Sequence, residues 1–321
     1  MQPSISLVTV NYGVPVLVRR LLTSLAGHPD RALLREVIVV DNGFPDAGDS
    51  RVGLGNFDIG LPVRFVQNGA RGYSSGINAG AANASGDILA LSNNDVEWLP
   101  GFGIGPLVSV LAQREDAGIA GPQLVFPDGS WQRSFGLLPS IAEGSSGLFL
   151  YEIVRNAIAA ARFRRGRAVP APSRVGYVDG AFMLVRRACF EALGGFETAL
   201  TFYGEDVDFC WRAARAGYQS VFVPEARVMH VRGASSTTVA SADYLARMHV
   251  ARIGFVALRH GPIAAKLYQR LLQLSTWEVA LVHAAAWCVR PTTRQRRRLG
   301  VALATARAAM NLALPSIAGT D

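Results

Sequence analysis

The chain is 321 residues long, enough for one large α/β domain and a smaller appendage; half of its residues are hydrophobic and 17% are charged. Its 32 Lys and Arg against 24 Asp and Glu give a net charge of +8, so an anionic partner fits it: nucleic acid, an acidic membrane surface or phosphorylated substrates. Cys189, Cys210 and Cys288 are scattered, which excludes a C-x-x-C pair and any thiolate metal spacing, and all three are expected as buried, reduced thiols.

Met1-Gln2-Pro3-Ser4 carries no basic segment, and the apolar run after it is only of strand length. Neither a signal peptide nor a first transmembrane helix is expected, and the bulk of the chain is expected in the cytosol. Residues 5–10 read as a buried strand that stops at Asn11-Tyr12, and 37–40 as a second that stops at Asp41-Asn42-Gly43. Residues 89–91 make a third, running into Ser92-Asn93-Asn94-Asp95. Three strands delivering polar residues to one edge of an open α/β sheet make a ligand site, with Asp95 the first candidate for a metal or substrate ligand. Singly, each Asp also fits a turn former.

Between these strands, residues 15–25 predict a helix from Val18, Leu21, Leu22 and Leu25, 43–60 a loop and 63–66 a short strand. Residues 68–84 are small and polar throughout, either letting a diphosphate or ribose approach a helix start closely or packing a small-faced helix on the sheet. No G-x-G-x-x-G or Walker sequence is present, so neither a dinucleotide dehydrogenase nor a P-loop enzyme is supported.

Residues 107–112 predict a helix, 117–125 a strand, and 127–172 an insertion over the site whose arginines at 162–167 meet phosphate, headgroups or solvent. Residues 177–187 follow as a strand with a polar entry, then a helix at 188–193 and the turn Gly194-Gly195-Phe196. Glu205, Asp206 and Asp208 crowd the first turn of a helix whose apolar stripe is Val207, Cys210, Trp211 and Ala214. Acids favour helix starts for dipole reasons alone, yet like-charge crowding also suits Asp206 to general-base work; Asp208 is expected to face solvent or pair with a cation. After a strand at 219–223, His230 ends an apolar run and is a candidate third ligand. The C-terminal third predicts helices at 242–259 and 263–287. The window 271–289 holds Gln273, Glu278 and His283, poor for a span, and fits an interfacial helix with Trp277 and Trp287 at headgroup depth and Arg294, Arg296, Arg297 and Arg298 on acidic lipid, or else a packed helical cap.

The ordered set Val10-Asn11-Tyr12, Val39-Val40-Asp41-Asn42, Arg71-Gly72-Tyr73 with Asn78, Leu91-Ser92-Asn93-Asn94-Asp95, Gly180-Ala181-Phe182-Met183, Gly194-Gly195-Phe196, Glu205-Asp206-Val207-Asp208 and Val228-Met229-His230 resembles the family 2 inverting glycosyltransferases, in particular the rhamnosyltransferase-like branch. The resemblance covers residues 4–238. It implies a GT-A fold, a mixed, mostly parallel sheet flanked by helices, as a catalytic domain at 1–238 with a helical C-terminal extension at 239–321. It implies that Asp41 contacts the nucleoside; that Asn11, Tyr12, Gly72, Tyr73, Asn78, Asn93, Asn94 and Glu205 line the substrate; that Asp95 and His230 hold Mg²⁺ or Mn²⁺; and that Asp206 is the base. Asn93 stands where the D-x-D motif has its first acid.

The expected activity is inverting transfer of a sugar, rhamnose favoured, from a dTDP- or UDP-sugar donor to a cell-surface glycan or polyprenyl-diphosphate-linked acceptor, at the inner face of the cell membrane. The other class is a non-catalytic homologue that binds nucleotide-sugar or glycan as a scaffold. No nucleic acid is expected as partner, because the cations lie among apolar tail helices rather than between stacking aromatics.

Overall fold

The computed structural model describes residues 3–43, 59–69, 71–138, 172–200, 203–231 and 242–310, with the side chains of 242–247 excepted. The expected loop at 43–60 lies outside the described residues from 44 to 58, the insertion from 139 to 171 and the loop after His230 from 232. The chain divides into two compact units, residues 1–138 with 169–237 and residues 139–168 with 238–321.

In the first unit the strands are, in chain order, β1 (Ile5–Asn11), β2 (Leu34–Asp41), β3 (Val63–Gln67), β4 (Ile88–Asn93), β5 (Val96–Trp98) and β6 (Ala117–Val125). They continue as β7 (Phe135–Gly136), β8 (Ser173–Val175), β9 (Tyr177–Val178), β10 (Phe182–Arg186) and β11 (Gln219–His230). The main sheet runs β3-β2-β1-β4-β10-β6-β11-β5, with β8 on β11. β3, β2, β1 and β4 pair in parallel and so do β6 and β11, while β10, β5 and β8 run against their neighbours. β1 and β6 are buried along their whole length, as strands covered on both faces must be.

The helix Pro15–Ala26 buries Leu17, Val18, Leu21, Leu22 and Leu25 in the core, the face its spacing predicted. The helix Tyr73–Asn83 settles the reading of its small residues along its body: a Cβ on Gly80 would stand 2.3 Å from Val8 and 2.8 Å from Val40, so the small face packs on β1 and β2. Only its first residues remain for a ligand.

Several expectations are corrected. The strand expected at 177–187 is broken: β9 pairs with β7, and after the turn at Asp179-Gly180 the chain enters β10, antiparallel between β4 and β6. The strand expected to end at 223 continues to His230, because the register slips between Val223 and Arg227 and a bulge absorbs Pro224. Of the predicted stripe the helix Glu205–Arg215 buries only Cys210; with it Asp208, Phe209 and Ala213 are buried, in place of Val207, Trp211 and Ala214. Asp208 is fully buried against Arg212 at 2.8 Å, and Phe209 stacks within 5.6 Å of Phe190 and 5.0 Å of Phe196. Trp211 instead lies under the Arg215 guanidinium. Cys189 and Cys210 are buried as expected, whereas Cys288 is exposed, one residue before the end of a helix.

The second unit is helical over 242–289 and Thr293–Met310. Gly261 (φ 87°, ψ 170°) breaks the first helix before Pro262, in a positive-φ conformation that glycine adopts and side-chain-bearing residues rarely do. Gln273 donates to the Ala309 carbonyl at 3.2 Å, and Tyr268, Leu272, Ala302 and Ala306 are buried. Among the described residues no helix is long and apolar enough to cross a membrane.

Candidate active site

Parallel register brings the polar strand ends together. Asn11 on β1 lies opposite Asp41 on β2, and Val10 opposite Asn93 on β4. Asn11 is fully buried, and its Oδ1 accepts from the Val14 N–H at 3.2 Å and from Asn94 Nδ2 at 3.1 Å, which fixes the turn after β1 to the turn after β4. Asp41, 4% exposed, accepts from the Gly43 N–H at 2.9 Å and from Gln67 Nε2 at 3.2 Å. Asn42 donates to the Gly72 carbonyl at 2.7 Å and accepts from Asn68 Nδ2 at 2.6 Å, tying β2 to the start of the next helix. Gly72 (φ 90°, ψ 163°) makes that entry in a conformation side-chain-bearing residues rarely adopt. Burial, together with the charge of Glu205, pushes the Tyr12 hydroxyl up to about 12.

A cluster of acids faces this edge. Glu205 and Asp206 open their helix after two left-handed residues, Tyr203 (φ 68°) and Gly204 (φ 88°), and both are half-buried. Asp206 Oδ2 accepts from the Gly180 N–H at 2.8 Å and Oδ1 from the Val207 N–H at 2.8 Å. The Tyr73 hydroxyl donates to the Gly180 carbonyl at 3.3 Å, so both backbone polar groups of Gly180 are held by site residues. A Cβ on Gly180 would lie 2.9 Å from the Asp206 Cβ, so that approach needs glycine. Asp179 Oδ1 accepts from the Ala181 N–H at 2.9 Å.

Burial, then the charge of Asp179, raises the Asp206 carboxyl to about 6 against the pull of its N–H donors. Burial, then the charge of Asp206, raises Glu205 to about 8, and its Oε2 has no hydrogen-bond partner among the described residues. Tyr73 is pushed up by burial and by Glu205 and Asp206. Buried and alike in charge, the two carboxyls are both raised toward neutrality, a setting suited to general acid–base work.

The third component forms where β11 reaches β5. His230 pairs with Val96, one residue beyond Asp95, and its Nε2 lies 3.3 Å from Asp95 Oδ1. Both side chains are buried, Asp95 at 6% and His230 at 7% exposure. The Val231 N–H donates to the Asp95 carbonyl at 3.0 Å. Among the described residues no group of three or more His, Cys, Asp or Glu converges. The donor set on offer is one carboxylate oxygen and one imidazole nitrogen, which suits an ion that keeps waters and takes the rest of its shell from a substrate diphosphate. Two ligands about 2.1 Å from a shared octahedral ion stand about 3.0 Å apart, close to the separation seen, so the pair fits Mg²⁺ or Mn²⁺.

The fold thus gathers Asn11, Tyr12, Asp41, Gly72, Tyr73, Asn93, Asn94, Asp95, Glu205, Asp206 and His230 into one unit. The Asn93 N–H donates to the Ala181 carbonyl at 2.9 Å, linking β4 to the segment that carries Asp179 and Gly180. Asn78 is different: it donates to the Phe196 carbonyl at 2.9 Å and accepts from the Phe196 N–H at 2.8 Å, so both halves of its amide hold the Gly194-Gly195-Phe196 turn. Sequence reasoning did not single out Asp179. Asp179-Gly180 reads as a turn signal at a strand entry, a pattern that also marks a carboxylate beside a close backbone approach.

A model of the family described as glycosyltransferase like family 2 matches residues 3–248. Over 272 residues, 81% of this chain and 86% of the relative, the sequence is 32% identical to the N-acetylglucosaminyl-diphospho-decaprenol L-rhamnosyltransferase of Mycobacterium tuberculosis. It is 32% identical over 215 residues, 66% of this chain and 39% of the relative, to the pre-mycofactocin glycosyltransferase of the same species. The mannosyltransferase PcManGT from Pyrobaculum calidifontis, solved with GDP-Man and Mn²⁺, aligns with a TM-score of 0.59 at 16% identity, covering 97% of this chain and 86% of that one. GalNAc-T7, solved with UDP, GalNAc and Mn²⁺, aligns at 0.54 and 18% identity over 81% of this chain and 51% of that one. At such identities these structures speak for the fold alone. A sheet whose strand ends carry Asp41 and Asn93, acids at a helix start, and a match over three quarters of the length agree: this chain is a transferase of glycosyltransferase family 2, built on the GT-A fold.

Proposed function

We propose that the protein is an inverting rhamnosyltransferase, moving L-rhamnose from a dTDP-sugar, with UDP-sugars as the competing donor class, to a hydroxyl of a polyprenyl-diphosphate-linked glycan. Asp206 takes the proton of the acceptor hydroxyl as that oxygen attacks the anomeric carbon, and the nucleoside diphosphate leaves from the opposite face, so configuration inverts. The N–H donors of Gly180 and Val207 orient the Asp206 carboxylate, and protonated Glu205 keeps a second charge away from it. Asp95 and His230 would hold Mg²⁺ or Mn²⁺, which supplies positive charge for the departing diphosphate. Asp41 faces the nucleoside. The observation that carries the reading is the placement of Asp206, whose carboxylate is held by the Gly180 and Val207 N–H groups beside Glu205 at the polar edge of the sheet, where burial raises both acids toward neutrality. The relatedness to a rhamnosyltransferase supports the choice of sugar.

The test is transfer by the purified full chain from dTDP-rhamnose to a synthetic N-acetylglucosaminyl-diphospho-polyprenol with Mn²⁺ or Mg²⁺, the product's anomeric configuration read by NMR. Asp206→Asn is expected to lower kcat by about 10²–10⁴, with an unchanged fold by circular dichroism. Full activity in that variant would remove Asp206 as base, and turnover of UDP-sugars alone would overturn the donor.

The helical unit supports a membrane-surface partner. Ile263, Leu267, Leu274, Trp277 and Leu281 are exposed along one face of the 262–289 helix, and Arg294, Arg296, Arg297 and Arg298 are exposed on the next helix. An apolar stripe beside a cationic cluster matches the interface of an anionic bilayer. Co-flotation with phosphatidylglycerol vesicles, lost in a Leu274→Glu, Leu281→Glu variant, is the expected result; equal recovery of both proteins would reject this face.

A further inference from the structure

Gln132, in the segment between β6 and β7, is 5% exposed and touches His230 twice. Its amide nitrogen donates to the His230 carbonyl and, at 3.2 Å, to the Val125 carbonyl, while its Oε1 lies 3.1 Å from His230 Nδ1. Those partners fix which way the amide points. The reverse orientation would set Oε1 against two carbonyl oxygens, and only a donor satisfies both. The atom facing Nδ1 is therefore an acceptor, and Nδ1 must carry the proton. In the neutral ring, Nε2 then presents a bare lone pair, aimed at Asp95 Oδ1 3.3 Å away. Such a pair can face each other only with a cation between them, a proton on Nε2 or a divalent ion bound by both.

The Gln132 backbone is itself braced. Its N–H donates to the Leu124 carbonyl at 2.9 Å, and its carbonyl accepts from Gln123 Nε2 at 2.9 Å and Ser134 Oγ at 3.0 Å. The orienting amide is thus anchored to β6, which pairs with β11 up to Met229, one residue before the imidazole it orients.

We propose that Gln132 is a positioning residue of the transferase: it holds His230 in the Nδ1–H tautomer so that Nε2 and Asp95 together present a ready-made pair of donors to a divalent cation. This rests on the metal reading given above. Being neutral, the amide orients the ring without adding a charge to the site, where a carboxylate would favour the imidazolium.

The experiment is two-dimensional ¹H–¹⁵N NMR of the histidine side chains in the metal-free full chain, the His230 signals assigned by their loss in His230→Asn. Wild type is expected to show His230 with a protonated Nδ1 and a bare Nε2; the opposite tautomer would overturn the proposal with no variant needed. Gln132→Leu is expected to lose that tautomer and to weaken Mn²⁺ binding, followed by the EPR signal of free Mn²⁺ in the presence of dTDP, by about 10–100-fold. Gln132→Glu keeps an acceptor on Nδ1 but loses both N–H donors, and is expected to keep Nδ1 protonated, the added carboxylate favouring the imidazolium; if Nδ1 loses its proton there as in Gln132→Leu, bracing of the loop explains the effect and the proposal fails. Wild type that shows the Nδ1–H tautomer yet binds no Mn²⁺ would overturn the metal reading of Asp95 and His230 while leaving the tautomer assignment standing.

Discussion

Replacing Glu205 by Gln should stabilise the folded chain at alkaline pH and scarcely change it at acid pH. The native carboxyl stands at about 8, against 4.5 for an ordinary glutamate, chiefly through burial and then through the charge of Asp206. The folded chain therefore keeps a proton that the unfolded chain has released, and stability falls as pH rises between those two values. At about 1.36 kcal/mol per pH unit the full interval corresponds to roughly 5 kcal/mol, and the half-buried side chain's remaining access to water brings the expectation to roughly 3 kcal/mol. For a domain of this size that is a rise in Tm of roughly 6–12 °C at pH 9, shrinking to a degree or two at pH 5. Scanning calorimetry of wild type and Glu205→Gln from pH 5 to 9 measures it. Two Tm curves that stay parallel across that range would refute the reasoning, because they would mean that Glu205 titrates alike in the folded and unfolded chains.

Activity should run against stability: kcat/KM is expected to rise through about pH 6 as Asp206 ionises, and that acid limb should vanish from the residual rate of Asp206→Asn, as a pH–rate profile will report. Glu36 carries the opposite sign. Burial alone would raise it, but donors from Ser6 Oγ, the Ser85 N–H and Ser85 Oγ, each at 2.7 Å, together with Arg64, hold it at about 2. The native chain then binds fewer protons than the unfolded one, so roughly 2–3 kcal/mol of stability should be lost as pH falls from 4.5 to 2, and Glu36→Gln should flatten that acid limb in a circular dichroism titration. Asp208→Ala leaves the half-buried Arg212 without its carboxylate and should cost roughly 2–4 kcal/mol by thermal melts, whereas Asp208→Leu with Arg212→Met should cost far less.

The edge of the sheet was legible because its signals are local. A buried run followed by Asn11, Asp41 or Asn93 marks a strand end, and parallel strands of a doubly covered sheet place all such ends on one side. What was not legible depends on pairing between distant segments. Nothing near Gln132 says that β11 will carry His230 past Pro224 to meet it; that follows from a bulge whose position is set by β6. β10 inserts against the direction of its neighbours, and only this reversal puts Gly180 and Asp179 beside Asp206.

The inward face of the acid helix was misread for a related reason. Periodicity counts apolar residues, and Val207, Trp211 and Ala214 outnumber the alternatives on that count. Arg212 decides the matter by a different physics: half-buried and paired with the fully buried Asp208, it donates to the Leu193 carbonyl at 2.7 Å and the Gly195 carbonyl at 2.8 Å, satisfying the turn that Asn78 grips from the other side. A rotation that buried Trp211 would leave those carbonyls without their donor and would turn Asp206 away from the Gly180 N–H. The apolar stripe gives way because the helix is oriented by its polar partners, and the same orientation sets the Asp206 carboxylate on the sheet edge.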